Sequence, residues 1–234
     1  FRLNSKEDIK LVGNSGPAKA VEAARIGVDR ALILLSEGRL TEAQHCLEDA
    51  LLAAPGYPDA LHLLGLSASR QGNTTKALSL INEALSSWPK HPVFHNNLGN
   101  IFLASGEEEA AKFHYLKAIE YAPGYSAAYF NLGIIFERQG NSTEAVTYYR
   151  DAIHHEPEYA EAHFNLGAAL ESLGDQESAA SEYRRAIQIS EDYAKAYYRL
   201  ALIRPEVLTD EELTRMKELL AKCVSQSDEA IHLL

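Results

Sequence analysis

Apolar and small residues along this chain recur at the 3.6-residue spacing of an amphipathic helix, lapse at a glycine, recur again, and then the whole figure repeats. The stretch from Ala127 to Tyr159 contains it once. Tyr129, Leu132, Gly133 and Phe136 mark a first helix, Gly140 the gap, and Ala145, Tyr149 and Ala152 a second helix. Moved by 34 residues, Leu132-Gly133 falls on Leu166-Gly167 in one direction and on Leu98-Gly99 and then Leu64-Gly65 in the other. Gly38, Gly72, Gly106, Gly140 and Gly174 keep the same step, as do Ala43, Ala77, Ala111, Ala145 and Ala179, and a second set, Ala50, Ala84, Ala118, Ala152 and Ala186. Pro55, Pro89, Pro123 and Pro157 close four units, and Glu191 stands at the fifth place. A fixed period of this length is the mark of an array whose units cannot bury their apolar faces alone and stack to do so.

Two helical stripes joined by a short glycine loop predict one antiparallel helix pair per unit. Gly133 and Ala145 let the two helices approach closely, while larger neighbours fill the space between pairs. Asn141, with Glu144 three residues on, reads as a helix cap, and Glu107-Glu108-Glu109 places negative charge at a helix start. Pro157 ends the second helix, having no backbone donor and restricting the residue before it. Beyond Tyr193 a sixth first helix begins at "AKAYYRLALIR" and is interrupted by Pro205. Thr209 and Glu212 then open a helix whose Leu213, Met216, Leu219 and Leu220 form an apolar stripe fit to cap the last repeat.

The order Tyr129, Leu132-Gly133, Phe136, Ala145, Tyr149 and Pro157 resembles the tetratricopeptide repeat. Five such units occupy 24–57, 58–91, 92–125, 126–159 and 160–193, after an N-terminal segment of residues 1–23 and before a C-terminal capping region of residues 194–234. The first unit departs most, with Gly27 and Arg30 where an aromatic and a leucine are expected. The resemblance implies an all-α fold: a right-handed superhelix, or α-solenoid, of antiparallel helix pairs whose concave wall is lined by the first helix of every repeat.

Counted along that implied wall, one position carries Asn97, Asn131 and Asn165 in successive repeats. A side-chain amide both donates and accepts, so it can hold a peptide backbone irrespective of sequence. Packed helices lie roughly 8–10 Å apart and an extended chain advances about 3.3 Å per residue, so one asparagine would meet a bound strand about every third residue. The arrangement is similar to the asparagine ladder in the repeat domain of O-linked N-acetylglucosamine transferases. The plain alternative is that these asparagines are solvated or cap a turn. Phe130 and Phe164 flank the ladder, with Asn96 in the equivalent place one repeat earlier, and fit either a partner's apolar side chain or packing against the next helix. Lys195 and Arg199 resemble the basic half of a carboxylate clamp, and Asn165 suits it too. The other half is missing, because Phe130 and Ile134 stand where the clamp's lysine and asparagine belong, which leaves a solvated charged face as the competing reading.

Charge narrows the partners. With 22 Lys+Arg against 33 Asp+Glu the net charge is −11, which disfavours nucleic acid and anionic membranes. The implied wall is balanced, with Arg25, Arg70, Arg138, Lys195 and Arg199 against Asp29, Asp59, Glu137, Glu161 and Glu171. No apolar run exceeds the scale of Ala31–Leu35, so no membrane insertion is expected. Cys46 and Cys223 are far apart and form no CxxC pair, which suits a reducing, cytoplasmic setting. "FRLNSKEDIK" lacks a signal peptide's apolar core, and "SQSDEAIHLL" reads as a helix cut short within a longer parent. The nine histidines form no HExxH or ligand-spaced cluster, and no nucleophile or phosphate-loop motif occurs, so neither metal, cofactor nor catalysis is expected. Asn73-Thr-Thr75 and Asn141-Ser-Thr143 follow loop glycines and read as helix starts rather than glycosylation sites. Three functional readings remain: a scaffold gripping a protein or peptide partner in its groove; the recognition arm of a larger glycosyltransferase or sulfotransferase, which "PDALHLLG" and "LTDEELTRMKELLAKC" resemble; and self-assembly into a homo-oligomer.

Overall fold

The computed structural model describes residues 17–203 and 209–219. Among these residues every regular element is a helix: α1 (Pro17–Ser36), α2 (Leu40–Ala53), α3 (Pro58–Arg70), α4 (Thr74–Ser87), α5 (Pro92–Ala104), α6 (Glu108–Tyr121), α7 (Ser126–Arg138), α8 (Ser142–His155), α9 (Ala160–Ser172), α10 (Gln176–Ile189), α11 (Ala194–Ile203) and a last helix, α12, at 210–219. The fold is all-α and built of helix pairs. First helices start at Pro58, Pro92, Ser126, Ala160 and Ala194, one every 34 residues, whereas α1 starts at Pro17 and is longer than the others. Residues 1–16, Pro205, Leu220 and Cys223, on which parts of the sequence reading fall, lie outside the described residues.

The chain divides into two compact units, residues 1–123 and 124–234. In the first, α1 packs on α2, α3 on α4 and α5 on α6, with α2 also against α3 and α4 against α5. Two apolar clusters fill it, one around Ala31, Leu47 and Leu64, the other around Ile81, Phe94 and Leu98. In the second unit α7 packs on α8, α8 on α9, α9 on α10 and α10 on α11, around one cluster containing Tyr149, Leu166, Tyr183 and Leu200. Met216 and Leu219 of α12 join that cluster. Helix α12 starts with a reciprocal capping box, the Thr209 amide donating to Glu212 at 2.8 Å and the Glu212 amide to the Thr209 hydroxyl at 3.1 Å.

The hairpins turn on glycine. Gly140 has φ of 76°, a left-handed conformation that side chains resist, and it lets the Gly140 amide reach the Glu137 carbonyl and the Asn141 amide reach Phe136. Those bonds satisfy the end of α7 before α8 begins. Asn73 and Asp175 then cap α4 and α10 through their side chains, each at 3.1 Å. Asn141, expected to do the same for α8, makes no side-chain cap bond; its N-terminal donors lie at an exposed turn where water can serve them.

Within three of the pairs, α5–α6, α7–α8 and α9–α10, glycine lies against a ring, whereas in α3–α4 Gly65 lies against Ile81. A Cβ placed on Gly133 would lie 2.5 Å from the Tyr149 ring, and the same collision recurs for Gly99 with Tyr115 and Gly167 with Tyr183. Each of these tyrosine residues is fully buried, and each hydroxyl is nevertheless bonded: Tyr115 to Asn100 at 2.8 Å, Tyr149 to Glu137 at 2.7 Å and Tyr183 to Glu171 at 2.9 Å. The ring therefore supplies both the apolar filling between helices and a polar tie across them. A ring held at both ends cannot retreat from an added methyl. Gly133→Ala is expected to lower the unfolding free energy by about 1–3 kcal/mol through overpacking. Gly124→Ala, where the nearest atom would be 3.8 Å away, is expected to change it little, and urea denaturation of the two variants compares them directly.

Candidate functional site

The asparagine positions sit on first helices, half-buried, with their surroundings set by the preceding helix pair. Asn165 of α9 is the best defined. The Tyr149 hydroxyl on α8 donates to Glu137 of α7 and its oxygen accepts from the Asn165 amide. Burial first, and then the bond to Glu137, drive the Tyr149 phenol far above its ordinary range, so it stays a neutral donor. The amide nitrogen of Asn165 is thereby held toward Tyr149. One repeat later the same relay ends on a cation. Tyr183 donates to Glu171, and Arg199 of α11 binds Glu171 at 2.7 Å and the Tyr183 oxygen at 3.3 Å. Burial pushes the Tyr183 phenol up to about 12, and the bond to Tyr183 raises Arg199 further above its usual value.

Arg199 thus has its charge neutralised by its own chain, while Lys195, a turn earlier on α11, is exposed. Asn131 stands on α7 at the position equivalent to Asn165. Phe130 and Phe164 are half-buried and rest on aromatic pairs, Phe130 on Tyr149 and Tyr159 at 5.7 and 4.9 Å between centroids, Phe164 on Tyr183 and Tyr193 at 5.5 and 5.3 Å. Each residue stays partly accessible. Glu137, Tyr149, Glu171 and Tyr183 were not among the expected site residues, although each recurs at the 34-residue step. Their roles depend on a contact between successive pairs, which the period marks but does not describe.

In the first unit, Asn97 of α5 takes a different partner. Its amide nitrogen lies 2.8 Å from His62 Nε2 on α3, and Asn100 approaches its oxygen at 3.5 Å. His62 is buried, stacks on Phe94 at 4.4 Å, and is pushed down to about 4, mainly by burial and then by His91. A neutral ring is required, because only an unprotonated Nε2 can accept from the Asn97 amide. Asn96 is only 4% exposed and lies inside this unit. His95 and His163 also face inward. The first bonds the Pro89 carbonyl and His114, the second the Pro157 carbonyl and Glu182. Among the described residues no group of three His, Cys, Asp or Glu is arranged to hold a metal ion, and no helix is long and apolar enough to cross a membrane.

Because His62 is held neutral in the fold but takes a proton near pH 6.5 when unfolded, the stability it supports is full above pH 6.5. That stability drains as pH falls toward 4. The loss is expected to approach about 3 kcal/mol at most. His62→Phe, which installs the residue found at the equivalent positions Phe130 and Phe164, is expected to flatten the pH 4–6.5 limb of the unfolding free energy measured by urea titration. An unchanged limb would locate the acid sensitivity elsewhere.

Comparison with known proteins agrees with this architecture. The tetratricopeptide repeat family profile matches residues 28–92, 62–113 and 137–194, and a second profile of the same repeat matches 114–147. No curated protein matches the sequence. Among solved structures, PilF of Pseudomonas aeruginosa superposes with a TM-score of 0.75 at 18% identity, covering 86% of this chain and 90% of that one. The Cut9–Hcn1 hetero-tetramer of APC/C gives 0.73 at 18% identity over 93% of this chain and 44% of that one. YrrB, described as having an unusual peptide-binding site, gives 0.59 at 19% over 83% and 98%. At these identities the likeness speaks for the fold alone, and the profile matches, which span more than half of the sequence, establish the lineage: the chain belongs to the tetratricopeptide repeat family.

Proposed function

We propose that this chain is a non-catalytic scaffold that binds an extended segment or helix of another protein against its first-helix faces, with Asn97, Asn131 and Asn165 contacting the partner's backbone. The observation that carries the reading is the fixed orientation of Asn165. A peptide-binding amide must present a defined acceptor without reorganising, and the Glu137–Tyr149 pair supplies that fixity in advance. The partly accessible Phe130 and Phe164 beside the asparagines would add apolar contact, and Lys195 an exposed cation. Arg199 and Asn96 contribute from within, the first as part of the Glu171–Tyr183 network and the second as part of the buried surroundings of Asn97. Two of the similar structures are a protein with a peptide-binding site and a hetero-tetrameric assembly, which is the company such a scaffold would keep.

Peptides selected by the intact chain from a random display library are expected to lose affinity by about tenfold or more when Asn97, Asn131 and Asn165 are all changed to alanine, since each backbone hydrogen bond is worth about 1 kcal/mol. Tyr149→Phe, which keeps the ring but removes the tie on Asn165, is expected to weaken binding by a smaller factor. Fluorescence anisotropy on variants with matching circular dichroism measures both. Peptides that bind the triple variant as tightly as the parent would rule out the asparagines as the contact.

A further inference from the structure

The first unit holds a cleft of about 250 Å³ between the end of α1, the first turn of α2 and the face of α3 that carries Leu63, Leu66 and Arg70. Its apolar lining is Leu35, Leu40, Leu63 and Leu66, with Arg70 at its rim. Three of these leucines break the period. Leu63 stands where later repeats carry Asn97, Asn131 and Asn165, Leu66 where they carry Asn100, Ile134 and Ala168, and Leu40 where second helices begin with Thr74, Glu108, Ser142 and Gln176. Leu40 is 58% exposed at the mouth. Where the other repeats offer mainly amides or small groups, this one offers a leucine-lined hollow that no described residue of the unit fills.

The rim is electrostatically unfinished. Arg70 has no acid partner among the described residues, and the acids on the facing turn, Glu37 and Glu42, are both held by Arg39 at 2.9 and 2.6 Å. The neighbouring amides are likewise engaged, Gln71 with Ser67 and Gln44 with Glu48. An apolar hollow with a single unpaired guanidinium at its edge is complementary to an apolar side chain followed by a carboxylate, the latter meeting Arg70 in a charge-assisted, two-pronged bond.

We propose that this cleft binds one aliphatic or aromatic side chain of a partner segment whose neighbouring residue is acidic, with Arg70 pairing that acid. The assignment rests on the reading of the chain as a protein-binding scaffold and adds a sequence-selective pocket to the sequence-blind asparagines. It makes the cleft the part that chooses partners and the asparagine positions the part that holds them.

The test is a nuclear magnetic resonance titration of the full chain with two dipeptide probes, N-acetyl-leucyl-glutamate amide and N-acetyl-leucyl-lysine amide. The expected result is saturable, millimolar shifts of amides in Leu35–Gln44 and Leu63–Gln71, with the glutamate probe favoured about fivefold, the scale of one solvent-edge ion pair. Arg70→Glu should invert that preference, and Leu66→Asn should weaken both probes alike. Equal affinity for the two probes, a preference untouched by Arg70→Glu, or shifts elsewhere in the chain would overturn the proposal. So would shifts that appear only after residues 1–16 are removed or the sample is diluted, which would assign the cleft to the chain's own N-terminal segment or to a second copy. The probes are too short to need Asn97, Asn131 and Asn165, so failure here and failure of the asparagine-dependent binding are read separately.

Discussion

A tyrosine ring lying directly on bare glycine backbone is the contact on which the rest of this structure depends. With any side chain at Gly99, Gly133 or Gly167 the two helices of the pair would have to stand apart, and the alanines facing across the seam would then leave voids. The close approach also brings the tyrosine hydroxyl through the seam to the polar side, where Asn100, Glu137 or Glu171 meets it. Apolar packing and a polar tie between the helices are consequently set by one side chain. The second alanine set, Ala118, Ala152 and Ala186, serves the same geometry from the other helix, each residue being wholly buried.

Much of this was legible in the sequence because a repeat writes its own alignment. Five aligned copies separate what the fold needs, glycine at 133 and 167 or alanine at 145 and 179, from what varies, such as phenylalanine at 130 against histidine at 62. What stayed hidden were contacts between successive pairs. Arg199 reads as an available cation until Glu171 and Tyr183 are placed beside it, and Asn97 reads as one rung among three until His62 is found against it. Asn96 aligns with the half-buried Phe130 and Phe164, yet it is buried, and two residues before it Phe94 occupies a position that is alanine at 60, 128, 162 and 196. A period averages such exceptions away.

The junction of the second and third repeats departs from the period in its own way. Phe94 replaces alanine, His91 replaces the tyrosine found at 57, 125, 159 and 193, and the rings of His62, His91, Trp88 and Phe94 form one group of stacked and tilted contacts. Imidazoles here do the volume-filling work of phenyl and phenol elsewhere, at the expense of sensitivity to acid. His95 and His163 use the same ring differently, as a strut between the Pro89 or Pro157 carbonyl before the helix and a side chain of its paired second helix, His114 or Glu182.

The relay from Glu137 through Tyr149 to Asn165 has a consequence for how such a chain can be cut and rejoined. Asn165 of one repeat is held by two residues of the repeat before it, so this polar relay begins in one 34-residue unit and finishes in the next. Exchanging a single unit between two such arrays would carry the asparagine but leave its support behind, while also delivering a glutamate and tyrosine to a neighbour unsuited to them. The transplantable part is the three-helix span α7–α8–α9, out of phase with the sequence repeat, and recombination at the Pro157 boundary would separate the asparagine from its support.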